Sequence, residues 1–265
     1  MALELRLWYA CAFLRYSSWN KPLKAPTRFN NDIVIIDENE PCPYLPDETA
    51  RMPLRMPVGK ISLTEADERL AVGHRRTGEF VYKTKCPNCE ACLPVRIDCL
   101  SYQFSKNQLR VMRRNDTNYR TQIGPLVADG KRVALFNRHR RLRGLAKRDH
   151  DIDLEEYIWG FVRSCFDSFE LTYWDGDDLV CVAICDRGRT SLSAVYTFFE
   201  PEIRKQGLGT YSILKQIQYC QDRELAHLYL GFYVANSPHM TYKKRFVPQE
   251  RLINGQWIRI ESIES

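Results

Sequence analysis

The chain has 265 residues, 44% hydrophobic and 27% charged, enough to bury one large core or two moderate ones. No apolar run approaches a bilayer's thickness, and the longest near the start, Leu7 to Leu14, is short and lacks a small-residue cleavage pattern. Neither a membrane span nor a secretory leader is expected, and the expected setting is the cytoplasm. A net charge of +6 points only weakly to nucleic acid until its distribution is considered.

Residues 1 to about 40 read as an N-terminal extension with one short strand at Ile33 to Ile36. Prolines at Pro41, Pro43, Pro46, Pro53 and Pro57 then argue against regular helix or a central strand and predict an extended, turn-rich segment. Ser62 to Gly73 reads as a short capped helix, and Phe80 to Tyr82 and Pro94 to Phe104 as strands. Between those strands stand Cys86, Cys89 and Cys92, two successive Cys-x-x-Cys steps. Ten cysteines exceed the ordinary share of a cytosolic enzyme, where a disulfide framework is not expected. With Cys42, the three would make a four-thiolate site suited to Zn²⁺ or an iron–sulfur cluster, the alternative being free or oxidation-sensing thiols. Cys165, Cys181, Cys185 and Cys220 fall in apolar periodic segments and read as core.

Lys106 to Asn115 is predicted helical, with Arg110, Arg113 and Arg114 on one face by their i, i+3, i+4 spacing. From Lys131 to Arg148 there are eight basic residues and no acidic one, in a predicted helix over Val133 to Lys147 that weakens at Gly144. Two separate basic segments favour RNA over a merely solvated face. Leu154 to Ser168 is predicted as an amphipathic helix. Strands follow at Leu171–Trp174, Leu179–Cys185 and Ser191–Phe199, with turns at Asp175-Gly176-Asp177 and Arg187-Gly188-Arg189. A helix over Gly209–Arg223, a strand over Ala226–Tyr233, a short helix over Pro238–Lys244 and a last strand near Trp257 complete an α/β arrangement with a mixed sheet. Expected boundaries are an extension at 1–40, a cysteine-containing N-terminal α/β region at 41–130 and a transferase region at 131–265.

The string Arg204-Lys205-Gln206-Gly207-Leu208-Gly209 lies between a strand and a helix, where glycines admit a close ligand and the helix's free N–H groups suit phosphate. Arg204, Gly207 and Gly209, followed by Asn236 and Tyr242, resemble the GNAT acyltransferases. That resemblance implies a donor lying between two splayed strands, here Ser191–Phe199 and Ala226–Tyr233.

A narrower resemblance covers Cys42 to Trp257. Cys42-Pro43-Tyr44-Leu45-Pro46, Gly73-His74-Arg75-Arg76-Thr77-Gly78-Glu79-Phe80, Cys86-Pro87-Asn88-Cys89-Glu90-Ala91-Cys92 through Arg96, Ser191-Leu192-Ser193-Ala194-Val195-Tyr196, Leu228-Tyr229-Leu230-Gly231-Phe232 and Met240-Thr241-Tyr242-Lys243 resemble, in order, the aminoacyl-tRNA–protein transferases. These are the bacterial aspartate/glutamate leucyltransferases and eukaryotic arginyltransferases of the N-degron pathway of protein degradation. Departures are mild: Thr77 where Ser is usual, Glu200 where Asp is usual, and Leu45 where eukaryotic members have a second cysteine. The last leans toward the leucyl branch.

The resemblance implies transfer of Leu or Arg from charged tRNA to the N-terminal amine of proteins beginning with Asp or Glu. The ester is already activated, so no cofactor is required for chemistry. The amine, of free pKa about 7.7–8.0, must lose a proton, and an oxyanion must be stabilised. Asp186, Tyr196 and Tyr242 are the candidate catalytic groups, with Asp186 as base. Arg75, Arg76, Lys243 and Arg96 would bind the acceptor, the two adjacent arginines reading its carboxylate. Arg204, Gly207, Gly209, Arg110, Arg113, Arg114 and Arg141 would bind tRNA, and Cys42, Cys86, Cys89 and Cys92 a metal or cluster; His74 reads as a packing residue. The rivals are an acetyl-coenzyme A-dependent GNAT enzyme and a noncatalytic RNA-binding module built on a zinc knuckle.

Overall fold

Short strands open the fold even within the proline-rich segment: β1 (Asp32–Ile36), β2 (Asn39–Pro41), β3 (Thr49–Arg51) and β4 (Leu54–Pro57). The computed structural model describes residues 29, 32–145, 150–203 and 207–262. The Leu7–Leu14 run, most of the expected extension, Lys147, and Arg204 with Lys205 and Gln206 lie outside the described residues.

With β5 (Arg75–Thr77) and β6 (Phe80–Tyr82), two of these strands form a four-stranded sheet of order β1-β4-β6-β5. The expectation that no central strand forms among the prolines is therefore corrected. Pro53 immediately precedes β4 and Pro57 ends it, so the strand pairs with β1 along its length while only Leu54 and Arg55 pair on the other side as well, with Tyr82 and Val81. Helix α1 (Leu63–Ala71) follows its Ser62 cap as expected. Its Arg69, 1% exposed, binds Asp32 through two nitrogens, and its Asp67 accepts hydrogen bonds from Thr190 N, Thr190 Oγ1 and Ser191 Oγ. That carboxylate fixes where the strand after Thr190 begins.

The remaining elements are β7 (Leu93–Asp98), α2 (Lys106–Asn118), β8 (Arg120–Pro125), α3 (Gly130–Leu142), α4 (Leu154–Tyr157) with a π-turn over Ile158–Val162, β9 (Asp167–Asp175), β10 (Asp178–Arg187), β11 (Ser191–Phe199), α5 (Leu208–Asp222), β12 (His227–Tyr233), a 3₁₀ turn over Thr241–Arg245, β13 (Gln249–Ile253) and β14 (Gln256–Ile260). They make an eight-stranded sheet of order β14-β13-β7-β12-β11-β10-β9-β8. Only β11 and β12 run parallel among its pairs, so the sheet is mixed. The N-terminal β7 thus lies inside a sheet otherwise built from later residues.

Helices cover both faces. Met112 of α2 and Tyr211, Leu214 and Ile217 of α5 share one core with Cys181, Ala183 and Cys185. Leu135 and Phe136 of α3 and Tyr157 and Phe161 share another with Val182, Ile184 and Phe198. Burial on both sides is why residues 179–185 read as an unbroken apolar run. Cys165, Cys181, Cys185 and Cys220 are buried thiols, as expected.

Three boundaries differ from expectation. Leu154–Ser168 is not one amphipathic helix: helical structure ends at Val162, Arg163 is extended, and Ser164 Oγ accepts from Phe166 N as the chain turns into β9. Its apolar residues serve two cores, Phe161 facing α3 and Phe166 facing α1, which imitates a single helical stripe. Helix α3 stops at Leu142, where Gly144 turns left-handed at φ +63°. The edge strand β8 was not expected, because its mostly exposed residues carry no alternating pattern. No helix among the described residues is long and apolar enough to cross a membrane.

Candidate functional site

The site begins where β11 and β12 part. Their parallel pairing runs only through Ser191–Ser193 against His227–Tyr229. Both strands then carry an extra residue. Ile184 pairs with Tyr196 and Cys185 with Ala194, leaving Val195 as a bulge in β11. In β12, Tyr229 pairs with Arg96 and Gly231 with Val95, leaving Leu230 as a bulge. A bulge bends its strand and increases its twist. Two of them just past the last shared pair account for the separation. Ala194, Val195, Tyr196 and Thr197 are accordingly half-buried although β11 is an interior strand.

Arg75 occupies this gap. Its Nη2 donates to Ala194 O at 2.9 Å, a carbonyl beyond the last parallel pair with β12. Across the gap, a Cβ on Gly231 would lie 3.4 Å from the same Nη2, so the missing side chain leaves room for the guanidinium. Gly231 adopts φ +83°, which L side chains rarely do. Burial lowers the Arg75 pKa from its ordinary value, opposed in part by Tyr82, Asp186, Tyr44 and Tyr242.

Lys243, from the 3₁₀ turn, is 4% exposed; its Nζ donates to Phe232 O of β12 and lies 3.2 Å from Met240 Sδ. Burial, with Arg75's charge adding, pushes its pKa down to about 7, against the opposing pull of Cys92. Tyr242 is 43% exposed, yet protein packed about its phenol pushes the pKa up to about 12, opposed by Arg75 and Arg143. Neither Arg75 nor Lys243 has a carboxylate partner among the described residues. Buried cations are ordinarily paired, so this corner is short of negative charge.

Helix α5 starts beside the same strands. Gly207, left-handed at φ +63°, caps it, and a Cβ on Gly209 would lie 2.9 Å from the Phe199 ring at the end of β11. The helix can sit this close only because Gly209 has no side chain. Its first N–H groups are suited to an anion.

Other expected residues fall differently. Arg76 and Asp186 bind each other: Nε lies 2.7 Å from Oδ2, both side chains are buried, and Ser168 Oγ donates to Asp186 Oδ1 at 2.6 Å. The Asp186 carboxylate is thus engaged by a guanidinium and a hydroxyl, and Arg76 is turned onto it, its Nη2 buried without a hydrogen-bond partner among the described residues. The expected base and the expected second reader are therefore joined to each other in one buried ion pair. Tyr196 packs among Phe136, Phe161 and Phe198 with ring centroids 5.4–6.4 Å away. Arg96 pairs with Glu250 at 2.5 Å and stacks on Trp257. Arg110, Arg113 and Arg114 lie exposed on α2, and Arg141 pairs with Asp151. His74 stacks on Phe29, and burial pushes its pKa down to about 4. Sequence reasoning missed Ala194, Val195 and Gly231; a glycine inside a strand was the available signal of a close approach.

Cys42, Cys86, Cys89 and Cys92 are all half-buried free thiols, and three of them pack beside the core under the four-stranded sheet. Burial pushes Cys92 up to about 12, and Cys42, Cys86 and Cys89 each add to the rise. They supply the soft donors of a metal site in one corner, but no three His, Cys, Asp or Glu side chains among the described residues converge closely enough to hold an ion.

Comparisons with known proteins bear on this arrangement. The family pattern described as arginine-tRNA-protein transferase, N terminus, matches residues 40–110, and its C-terminus counterpart matches residues 131–253. The aspartate/glutamate leucyltransferase of Acinetobacter baylyi is 34% identical over 89% of this chain and 87% of its own. Those of Thiobacillus denitrificans and Nitrosospira multiformis are 34% and 35% identical, over 83% and 84% of this chain and 92% and 88% of theirs. Among solved structures, FemX overlaps 69% of this chain and 63% of its own at a TM-score of 0.42 and 8% identity. L-PGS from Bacillus licheniformis overlaps 60% and 53% at 0.41 and 10%. Those two likenesses are too slight to bear on the fold.

Proposed function

The chain belongs to the arginine-tRNA–protein transferase family and is an aminoacyltransferase, and we propose that it moves leucine from charged tRNA onto proteins whose first residue is Asp or Glu. The observation that carries the acceptor's identity is the uncompensated cation in the strand gap. Arg75 lies half-buried against Gly231 and Ala194 with no carboxylate bonded to it among the described residues, and an acidic side chain would supply the missing charge in a water-poor place. Leucine follows from the relatives' printed activity and from Leu45.

In this reading the fold is GNAT-like, supported by the parted parallel strands and by the glycine-capped α5 beside them. The terminal nucleotide of the tRNA lies against the first turn of α5, and its ester enters the gap. The amine attacks the ester carbon, the tetrahedral oxyanion collapses, and the ribose hydroxyl leaves. Arg75 and Lys243 raise the positive potential there, which favours the neutral, nucleophilic amine over its ammonium form. The same potential stabilises the oxyanion. Tyr242, at the mouth, is placed to hydrogen-bond either substrate. Alignment of two termini in one gap contributes the larger share of the acceleration.

Cys42, Cys86, Cys89 and Cys92 have the donor chemistry for Zn²⁺ or an iron–sulfur cluster in a structural or regulatory part, although no three of them converge closely enough in this arrangement to hold an ion. Metal analysis of protein purified without air tests this; a full complement of free thiols with no metal would remove the assignment. The free described cysteines also support a cytoplasmic setting. The reaction itself is tested with tRNA charged with labelled leucine or arginine and peptides beginning with Asp, Glu or Ala. Label from leucyl-tRNA in the Asp and Glu peptides alone is expected, and equal labelling of the Ala peptide would refute the reading.

A further inference from the structure

The two basic segments differ in a way their composition hides. In α3 most of the charge is answered from within the protein. Arg132 binds Glu170 and Asp129, Arg138 binds Glu200 and Glu202, and Arg141 binds Asp151. Lys131 donates to Asp177 O, and Arg140 is buried over the Phe136 ring. These cations hold α3 to the sheet and to its neighbours.

Helix α2 is the reverse. Lys106, Arg110 and Arg113 fall at i, i+4 and i+7, one stripe of the helix, and all three are exposed. Arg110 donates only to the Asn107 side chain and Arg113 only to Leu109 O, and no carboxylate among the described residues pairs with either. Arg120, at the first position of β8, is exposed too, but it pairs across the strands with Trp174, whose ring packs with the α3 core and lies under Lys131, so it stands on the α3 face of the sheet and outside the stripe. Asp116 is the sole acid of α2, and it is already bound by Tyr211 Oη at 2.7 Å and Lys215 Nζ at 3.2 Å.

That same contact sets where the stripe leads. Tyr211 stands one turn into α5, its N–H bonding to Gly207 O. The last turn of α2 is therefore stapled to the first turn of α5, beside the strand gap. A row of unanswered cations running up to an anion-suited helix start is the electrostatic track a polyanionic strand would follow.

We propose that the exposed stripe of α2, Lys106, Arg110 and Arg113, rather than α3, docks the phosphate backbone of the tRNA acceptor stem while its 3′ end reaches the gap between β11 and β12. This rests on the transferase reading and adds to it the surface that holds the donor. Contacts of this kind go to phosphates, so they position the RNA without reading its sequence. The identity of the amino acid is left to the gap itself.

The experiment compares the unaltered protein with Lys106→Glu/Arg110→Glu/Arg113→Glu and with Arg138→Gln as a control drawn from α3. Binding of uncharged tRNA is measured across a range of NaCl concentrations. Each phosphate contact contributes about −0.7 to −0.9 to the slope of log affinity against log salt, so the triple variant should shallow it by about two and weaken binding roughly tenfold or more. In transfer assays the KM for charged tRNA should rise while kcat at saturation stays, because none of the three touches the gap. The Arg138→Gln protein should keep the unaltered slope, and all three proteins should melt alike. An unchanged slope in the triple variant, or an equal loss in Arg138→Gln, would overturn the surface while transfer by the unaltered protein continued. Failure of the unaltered protein to transfer from any charged tRNA would instead overturn the reading beneath it.

Discussion

Replacing Arg75 with Gln removes the guanidinium from the strand gap, and the shorter amide ends two bonds short of the nitrogen that now donates to Ala194 O at 2.9 Å. What is lost is a charged donor facing the acceptor's carboxylate. A hydrogen bond to a charged group contributes about 1.5–3 kcal/mol, which converts to a fall of about 10- to 150-fold in kcat/KM for acidic acceptors. Arg75 is half-buried, so salt in the assay screens this only in part. The measurement is kcat/KM for peptides beginning with Asp, Glu and Ala at saturating charged tRNA. The Asp and Glu values should drop toward that for Ala, which should itself hardly move. Arg75→Lys should recover part of the difference, since a point charge lacks the forked geometry. If the Asp-to-Ala ratio survives Arg75→Gln in a protein that melts normally, the carboxylate is read elsewhere and the reasoning fails.

Gly231→Ala should act in the same direction by another route: at φ +83° a side chain strains the strand that borders Arg75, so acceptor selectivity should fall in the same peptide assay. Asp186→Asn should chiefly destabilise the fold, by about 3–5 kcal/mol in urea unfolding, because it strands Arg76 in a buried position. A stable Asp186→Asn protein with a displaced pH–rate profile would restore Asp186 as the base. His139 is 4% exposed, and burial pushes its pKa down to about 4 from an ordinary value near 6.5. The unfolded chain binds that proton first, so stability should fall as pH drops from about 6.5 toward 4. His139→Gln should flatten the change in urea midpoint over that window, and an identical pH dependence would show that His139 is not its source.

The motif strings were legible because each carries residue types that the chemistry itself demands. Glycines at a helix start, adjacent arginines, and cysteines two apart mark function whatever surrounds them. The strands β9 to β12 and the helix α5 were legible too, since turn residues punctuate them and β-branched and aromatic runs fill them. Residues 154–168 were misread because two cores draw on one short segment, and periodicity cannot tell two faces from one stripe.

Sequence alone thus determined the family pattern, the α/β alternation and the list of residues with suitable chemistry. Tertiary structure alone decided how that list divides. Arg75 and Arg76 are neighbours in sequence and alike in chemistry, but on a strand their side chains point to opposite faces, one into the gap and one into an ion pair with Asp186. The same holds for the basic segments: α3 meets Glu170, Glu200 and Asp151 from distant parts of the chain, whereas the stripe on α2 meets no such acid among the described residues. Whether a charge is answered depends on contacts across tens of residues, and a one-dimensional pattern does not contain them.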